Sequence, residues 1–252
     1  VTGVQTCALP IFTGLFGALA HGGVVAQLER PARGLSLNDL ASRGQLPAQA
    51  ASWLASLLAQ RRNVVVVGGR GAGRTEVLSA LVASLPASDR AVVVEDRDEI
   101  NRARRDALSV RADGDWSAAV DAALALNAGR MVYGDDRAAC ARAFVHALAT
   151  GAEGAMIAVD APTGSHGLAK LAHAAAEDEW LTREDALVRL YGTRPLVIET
   201  ARFGDGVSRI ISIGEARQNP DGSTQVAQVF GVQIGENNGS LVVQLVPTQQ
   251  GY

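Results

Sequence analysis

The sequence predicts an α/β fold with a mostly parallel sheet and C-terminal antiparallel hairpins. Short β-branched runs alternate, over residues 30–180, with longer segments whose apolar residues recur at helical spacing. Strands separated by helices of roughly ten or more residues predict parallel βαβ crossovers. Beyond Gly192, apolar segments are separated by turn residues alone, which predicts antiparallel pairing.

Composition narrows the class of protein. The 252 residues are 48% apolar and 19% charged, which suffices for a buried core and excludes a disordered or fibrous chain. With a net charge of -3 we expect no nucleic-acid partner. Two cysteines, Cys7 and Cys140, suit a reducing compartment. Arginine outnumbers lysine by 22 to 1, and Lys170 is that lysine.

The N-terminal segment, residues 1–27, is left unassigned. No basic residue precedes Arg30, whereas a signal peptide needs a positively charged start. Glycines and polar residues dilute the segment relative to the roughly 20 predominantly apolar residues of a membrane span. The opening VTGVQTCALPI resembles translated sequencing-adapter sequence, so we expect this segment to be partly non-native and the folded domain to span residues 28–252.

The central elements follow in order. Val64–Val67 is a continuous β-branched run, typical of a strand that is buried on both faces. Apolar residues at helical spacing lie before and after this strand, and Pro86 ends the helix that follows it. We predict helical spacing from 37 that ends at 60–62, strand 64–67, helix 76–85, strand 91–94, helix 117–127, strand 130–133, helix 137–149 and strand 156–159.

The C-terminal part has a different pattern. Thr182, with Asp185 three residues on, predicts a capped helix start. Turn residues at 204–206 and 219–222 separate the apolar segments 196–201, 207–213 and 226–233, which predicts hairpins. Asn238-Gly239 predicts one more turn, with a return strand over 241–246.

The strongest chemical signal is the segment GGRGAGRT at 68–75, between a predicted strand and a predicted helix. Glycines let the backbone N–H groups face a phosphate, and the helix N-terminus adds its positive end. The segment fits the phosphate-loop template G-x-x-x-x-G-K-[ST] except at the lysine. A glycine-rich turn without a ligand is the alternative. The predicted nucleotide-binding residues are Gly68, Gly69, Arg70, Gly71, Ala72, Gly73, Arg74 and Thr75.

Arg74 stands where the template has lysine. Lysine is a slim point charge, whereas a guanidinium is a broad planar fork. We therefore expect Arg74 to hold phosphates in a different geometry, and the general shift from lysine to arginine explains only part of this replacement. Thr75 stands where a hydroxyl would reach a magnesium ion.

Acidic residues follow two of the predicted strands. Glu95 begins the cluster EDRDE at 95–99, and Asp135 follows Gly134 after the next strand along the chain. In open parallel sheets, ligands lie outside the carboxyl ends of the strands. A carboxylate there can orient an attacking water or hold a metal, which makes Glu95 and Asp135 the candidate catalytic residues. A solvated charge run and an ordinary helix cap are the alternatives.

The order and spacing of these motifs resemble the type II/IV secretion-system ATPases, nearest to the CpaF-like branch that powers tight-adherence pili. The resemblance runs from about Leu28 to Phe230. It includes the lead-in at 35–40, the strand and loop at 62–75, the acidic box at 94–100, the Gly-Asp-Asp-Arg segment at 134–137, Thr-Gly-Ala-Glu-Gly at 150–154, and tail segments at 201–206 and 211–215.

This resemblance implies a RecA-like P-loop motor that hydrolyses ATP with Mg²⁺ between the subunits of a homo-oligomeric ring, a hexamer in the family. It implies a cytoplasmic protein, peripheral to the inner membrane, that docks on inner-membrane platform proteins. Glu95 would polarise the attacking water, and Thr75 and Asp135 would serve magnesium. The family's separate N-terminal domain, which also touches the nucleotide, is expected to be absent from this chain.

Several positions depart from the family pattern. Asp135 replaces the Walker B glutamate and is one methylene shorter. Asp160 stands where the histidine box has its histidine, and Ala152 stands at an upstream histidine. The catalytic motifs are therefore degenerate.

Two arginines that the family places before the Walker B strand are Ala125 and Asn127 here, which leaves Arg130. Losing cations aimed at phosphates removes transition-state stabilisation, usually the largest catalytic effect. Two interpretations stay open: an ATP-hydrolysing motor subunit, or a nucleotide-binding or structural ring subunit with little turnover. A small-molecule phosphotransferase ranks last, since the C-terminal hairpins offer no lid.

Overall fold

A computed structural model of the chain describes residues 11–16, 24–29, 34–100, 104, 106–177, 181–219, 221, 223–237 and 240–248. The contacts divide the chain into two units, residues 1–33 and residues 34–252. The first unit contains an antiparallel hairpin of β1 (Ile11–Phe16) and β2 (Val24–Glu29).

The second unit alternates helices and strands up to β8 and then continues in strands. Its helices are α1 (Leu37–Ser42), α2 (Ala48–Ala59), α3 (Arg74–Ala83), α4 (Trp116–Ala125), α5 (Ala138–Ala149), α6 (Gly164–Ala175) and α7 (Arg183–Gly192). Its strands are β3 (Val64–Gly68), β4 (Ala91–Glu95), β5 (Leu108–Arg111), β6 (Arg130–Tyr133), β7 (Met156–Asp160), β8 (Leu196–Arg202), β9 (Ser208–Gln218), β10 (Thr224–Asn237) and β11 (Ser240–Pro247).

Nine strands form one sheet in the order β11-β10-β9-β8-β3-β7-β6-β4-β5. The six strands from β8 to β5 pair in parallel, and β9, β10 and β11 extend the sheet antiparallel from β8. The chain passes from β3 to β4 across the space that β6 and β7 later fill. The carboxyl ends of β3, β4, β6 and β7 therefore meet along one edge of the sheet.

Alternating strand residues feed two cores. Val65 and Val67 of β3 pack with α4–α7 on one face of the sheet, while Val64 and Val66 pack with α1–α3 on the other. All four valines have no exposed surface. Burial on both faces explains why this strand reads as an unbroken β-branched run.

The structure confirms the predicted α/β class, the parallel sheet and the C-terminal antiparallel strands. Thr182 caps α7 as predicted, since its hydroxyl oxygen accepts a hydrogen bond from the Asp185 amide at 3.1 Å. The helix expected at 76–85 lies two residues earlier, at Arg74–Ala83, because Gly73 is already its N-cap. The predicted Asn238-Gly239 turn lies outside the described residues, although Asn237 and Ser240 on either side of it are paired.

Strand β5 (Leu108–Arg111) was missed by sequence reasoning. It is a four-residue edge strand whose residues are mostly exposed, so it has no continuous apolar run. Among the described residues, no helix is both long and apolar enough to cross a bilayer.

Candidate functional site

The glycine-rich loop joins the buried end of β3 to the start of α3. Gly71 and Gly73 adopt positive φ angles of 73° and 88°, which side chains rarely tolerate. Gly73 is the N-cap of α3, and it offers no side-chain oxygen to the first turn of the helix. The first-turn amides of this helix therefore need acceptors from elsewhere.

Five backbone amides of the loop, on either side of Ala72, remain available as donors. In the part of the chain that the structure describes, the amides of Arg70, Gly71, Gly73, Arg74 and Thr75 donate to no protein acceptor, whereas the Ala72 amide bonds Gly69 O at 3.1 Å. A concave set of amides at a helix N-terminus binds anions, since the helix dipole adds positive potential there. The predicted phosphate loop thus has the geometry of an anion cradle.

The neighbouring strands β8 and β9 hold this loop in place. A Cβ on Gly68 would overlap Thr200 Oγ1 and come within 2.8 Å of Thr200 O, so β3 and β8 approach too closely for any side chain. The Ser208 hydroxyl donates to Gly71 O at 3.2 Å. Packing and one hydrogen bond therefore shape the loop without using its free amides.

Beside the loop, a cleft of about 190 Å³ brings the predicted catalytic residues together. Because the carboxyl ends of β4 and β6 reach the same edge as the start of α3, residues distant in sequence share its walls. The lining residues are Thr75, Glu95, Asp96, Arg97, Glu99, Ile100, Trp116, Gly134 and Asp135.

Glu95 is 4% exposed and is held firmly by its own surroundings. Its Oε2 accepts hydrogen bonds from the amides of Glu99 and Ile100 at 3.0 and 2.8 Å. Its Oε1 accepts one from the Ser109 hydroxyl of β5 at 3.0 Å. One carboxylate oxygen therefore braces the loop that follows β4, and the other is bonded to the neighbouring strand β5.

Asp135 follows β6 and is more exposed than Glu95. Its Oδ1 accepts a hydrogen bond from the Arg137 amide at 3.0 Å and lies 3.6 Å from Arg137 Nε. The Arg137 guanidinium in turn stacks over the Trp116 ring, 5.4 Å from the ring centre. These contacts keep the Asp135 carboxylate at the cleft.

Cys140 lies in α5, just beyond this acidic turn, and is fully buried. Burial, with smaller contributions from Asp135 and Asp136, raises the pKa of its thiol to about 12. The thiol therefore stays protonated at neutral pH and is a packing group rather than a nucleophile.

Arg74 has one partner among the described residues, and that partner is Asp160 at the end of β7. The distance from Arg74 Nη2 to Asp160 Oδ2 is 3.5 Å, longer than a charge-assisted hydrogen bond. Arg70 Nε lies 3.9 Å from the same oxygen. The residue at the histidine-box position is thus an anion that faces both loop arginines.

Arg130, the arginine that remains at the start of β6 in the family pattern, does not face the glycine-rich loop. Arg130 is the first residue of β6, so it lies at the amino edge of the parallel strands, opposite the loop. It is fully buried, and it bonds Asp89 Oδ2 through Nε at 2.6 Å and Leu58 O through Nη2 at 2.6 Å. Burial lowers the pKa of Arg130, and Asp89 offsets part of that shift. Its role is structural.

The donor set suits Mg²⁺ better than a tightly chelated metal. Within the described ranges, no three His, Cys, Asp or Glu residues cluster as metal ligands. Mg²⁺ commonly keeps several waters and takes only one or two protein oxygens together with phosphates. The Thr75 hydroxyl and the Asp135 carboxylate share the cleft and offer such oxygens.

Sequence reasoning missed three residues around the site: Ser109, Ser208 and Lys170. The two serines contact Glu95 and Gly71 from strands that are remote in sequence, and nothing local marks them. Lys170 did carry a signal, since it is the one lysine of the chain. Its Nζ bonds Asp136 Oδ2 at 2.7 Å and Asp160 O at 3.0 Å.

Comparisons with known proteins agree with this fold. The sequence profile of the family described as type II/IV secretion system protein matches residues 20–189. The chain is 25% identical over 225 residues to the conjugal transfer protein TrbB of Rhizobium radiobacter, an alignment that covers 86% of this chain and 69% of that protein. It is 27% identical over 153 residues to a probable TrbB of Sinorhizobium fredii, covering 59% of this chain and 47% of the relative.

Solved structures share the fold at low identity. The Brucella suis VirB11 ATPase, solved in complex with sulphate, superposes with a TM-score of 0.59 at 18% identity, covering 77% of this chain and 67% of that one. The Legionella pneumophila ATPase DotB gives 0.60 at 14% identity, covering 83% and 58%. The pilus retraction motor PilT with bound ADP gives 0.56 at 14% identity, covering 86% and 64%.

Proposed function

The chain belongs to the type II/IV secretion system protein family, and from that premise we propose that it is an ATP-binding and ATP-hydrolysing motor subunit. The observation that carries the proposal is the row of loop amides without acceptors beside the cleft that contains Thr75, Glu95 and Asp135. Phosphate oxygens are the acceptors that such a row suits. The carboxylates across the cleft suit the water and the metal of phosphoryl transfer.

Each residue has a role in this proposal. The loop amides of residues 68–75 and the Arg74 guanidinium bind the phosphates. Thr75 and Asp135 hold Mg²⁺, which when bound neutralises the charge that develops on the phosphates. Glu95 orients the attacking water. For this role, one of its oxygens has to accept a hydrogen bond from the water in addition to those from the Glu99 amide or the Ser109 hydroxyl.

The partners extend the same proposal. A homo-oligomeric ring, a hexamer, would bring nucleotide sites to subunit interfaces, and inner-membrane platform proteins would receive the motion from the cytoplasmic side. Two curated relatives bear the name conjugal transfer protein, which supports a conjugation-type secretion system. The nearer likeness to the CpaF-like tight-adherence branch stays a prediction.

A second candidate is a nucleotide-binding ring subunit that hardly hydrolyses ATP. Two observations favour it: both Glu95 oxygens already accept hydrogen bonds from the protein, and Arg74 faces Asp160. Both would slow hydrolysis without preventing binding. Binding and turnover therefore have to be measured separately.

The deciding experiment compares the wild-type chain with Thr75→Ala. We expect Mg²⁺-dependent phosphate release by the wild type to fall by roughly 10- to 100-fold in the variant, the usual range for loss of a metal-site partner. Thr193→Ala, the same chemical change at the exposed C-cap of α7, is the matched control and should behave as wild type.

Three outcomes separate the candidates. Binding with release that depends on Thr75 supports the motor. Binding without measurable release in any variant supports the non-hydrolysing subunit. Equal nucleotide binding together with equal and measurable release by wild type and Thr75→Ala would contradict the site itself.

A further inference from the structure

The carboxylate of Asp160 lies at the opening of the glycine-rich loop. Its Oδ2 is 3.5 Å from Arg74 Nη2 and 3.9 Å from Arg70 Nε, so one oxygen faces both arginines of the loop. No hydrogen bond to this carboxylate is recorded among the described residues, and its side chain is 37% exposed. In the described part of the chain, the Asp160 carboxylate is therefore an anion without hydrogen-bond donors, and it lies beside loop amides without acceptors.

The main chain of Asp160 is clamped while its side chain is not. The Asp160 amide donates to Asp136 Oδ2 at 2.6 Å. Lys170 Nζ bonds both Asp136 Oδ2, at 2.7 Å, and Asp160 O, at 3.0 Å. The carboxylate is thereby fixed near the loop and can leave the arginines only by side-chain rotation.

We propose that Asp160 is an internal competitor for the nucleotide's phosphates, which holds Arg74 neutralised until a triphosphate displaces it. This inference rests on the proposed function and specifies how that site is regulated. The Arg74 guanidinium makes no hydrogen bond within the described residues, so its fork of donors can exchange a 3.5 Å carboxylate contact for closer phosphate contacts. Asp160 also repels phosphate charge directly, since like charges within a few ångströms disfavour each other.

The expected effect is modest because the pair is partly exposed. Exposed ion pairs contribute little, and the measured range corresponds to about a 1.4- to fivefold change in an equilibrium constant. Neutralising Asp160 should tighten ATP binding by that factor, and the gain should shrink as salt screens the site. It should also fall with ligand charge, from ATP to ADP to adenosine.

The test is equilibrium dialysis of labelled ATP, ADP and adenosine with the full chain and its Asp160→Asn variant, at low and at physiological salt. Asp113→Asn is the matched control, because Asp113 faces Arg111 Nη2 at the same 3.5 Å but lies on an exposed turn after β5. It removes the same charge away from the loop. ATP affinity should rise in Asp160→Asn alone, more than ADP affinity, with adenosine unchanged.

The outcomes separate this inference from the function on which it rests. If neither wild type nor Asp160→Asn binds ATP, the proposed function fails and the competitor falls with it. If the wild type binds ATP and Asp160→Asn binds it equally or more weakly, the competitor is wrong while the nucleotide site stands. An equal gain for all three ligands, or in Asp113→Asn as well, also overturns it.

Discussion

The two edges of the parallel sheet use the same residue types in opposite ways. Both edges pair arginines with carboxylates. At the amino edge, Glu215 and Asp89 are 12% and 13% exposed and accept short hydrogen bonds from arginines, whereas at the mouth of the loop Asp160 is 37% exposed and faces its arginines at 3.5 Å or more. We expect a ligand to bind at the carboxyl edge, because charged groups and amides there have hydrogen-bonding capacity that the protein does not use.

At the amino edge, carboxylates accept short hydrogen bonds from neighbouring arginines. Glu215 accepts hydrogen bonds from Arg62 at 2.7 Å, Arg194 at 2.8 Å and Arg217 at 2.7 Å. Buried Arg130 bonds Asp89 through Nε and Leu58 O through Nη2, although its Nη1 has no partner among the described residues. A buried charge has to be paired in this way, since an unpaired one is very costly.

The carboxyl edge keeps its donors available. Arg74 reaches Asp160 only at 3.5 Å, and the neighbouring loop amides have no acceptor in the described part of the chain. These unpaired donors cost little free energy because they are partly exposed, and water can solvate them until a ligand binds. The role of an arginine near the site therefore depends on whether the protein already supplies its hydrogen-bond acceptors. Among the residues that the structure describes, the protein supplies two for the side chain of Arg130 and none at hydrogen-bond distance for that of Arg74.

The largest effect should come from breaking the amino edge. Arg130→Gln leaves the largely buried Asp89 with Arg61 alone, and we expect a loss of about 3–5 kcal/mol in the free energy of unfolding. Arg74→Gln is the matched control at the other edge and should cost less than about 1 kcal/mol. Urea denaturation followed by circular dichroism measures both, and similar losses in the two variants would remove the contrast between the edges.

An intermediate effect is expected where the loop leaves β3. Gly68→Ala would force β3 and β8 apart at Thr200, so we expect a loss of about 1–3 kcal/mol, as for other overpacked sites. The neighbouring Gly69→Ala has no atom within 4 Å of its new methyl group and should stay within about 0.5 kcal/mol of wild type. Thermal melts of the two variants check this, and a stable Gly68→Ala protein would contradict the close approach of the two strands.

The smallest of these effects depends on pH. Burial raises the pKa of Glu215, but hydrogen bonds from Arg217, Arg62 and Arg194 outweigh it and bring the pKa to about 2, below the ordinary 4.5. The carboxylate therefore contributes stability above pH 4.5 that is lost as pH falls towards 2. Glu215→Gln should lower stability by about 1–2 kcal/mol near neutral pH, with the difference vanishing at the acid end. The free energy of unfolding of both proteins is measured from pH 7 down to about pH 2. A difference between variant and wild type that stays constant over this range would contradict the proposed contribution of Glu215 and its three arginines.

Local sequence predicted much of the candidate site. The loop at 68–75 was recognisable because strand, glycines and helix are adjacent in the chain. Glu95 and Asp135 could be assigned to one edge because each lies at or just after the end of a strand, and parallel strands end at one edge. Strand β5 could not be predicted, since its stability comes from pairing with β4 rather than from its own apolar content.

The sequence by itself determined the order of the buried strands and of most helices, the glycine-rich loop between strand and helix, and the degenerate positions at 74, 135 and 160, because all of these depend on residue identity and short-range spacing. Only the tertiary structure decided that Arg130 faces away from the loop, that Ser109 braces Glu95, and that Asp160 faces Arg74. Those contacts join residues brought together by strand order and helix packing, and no local pattern encodes which side chain meets which across a sheet.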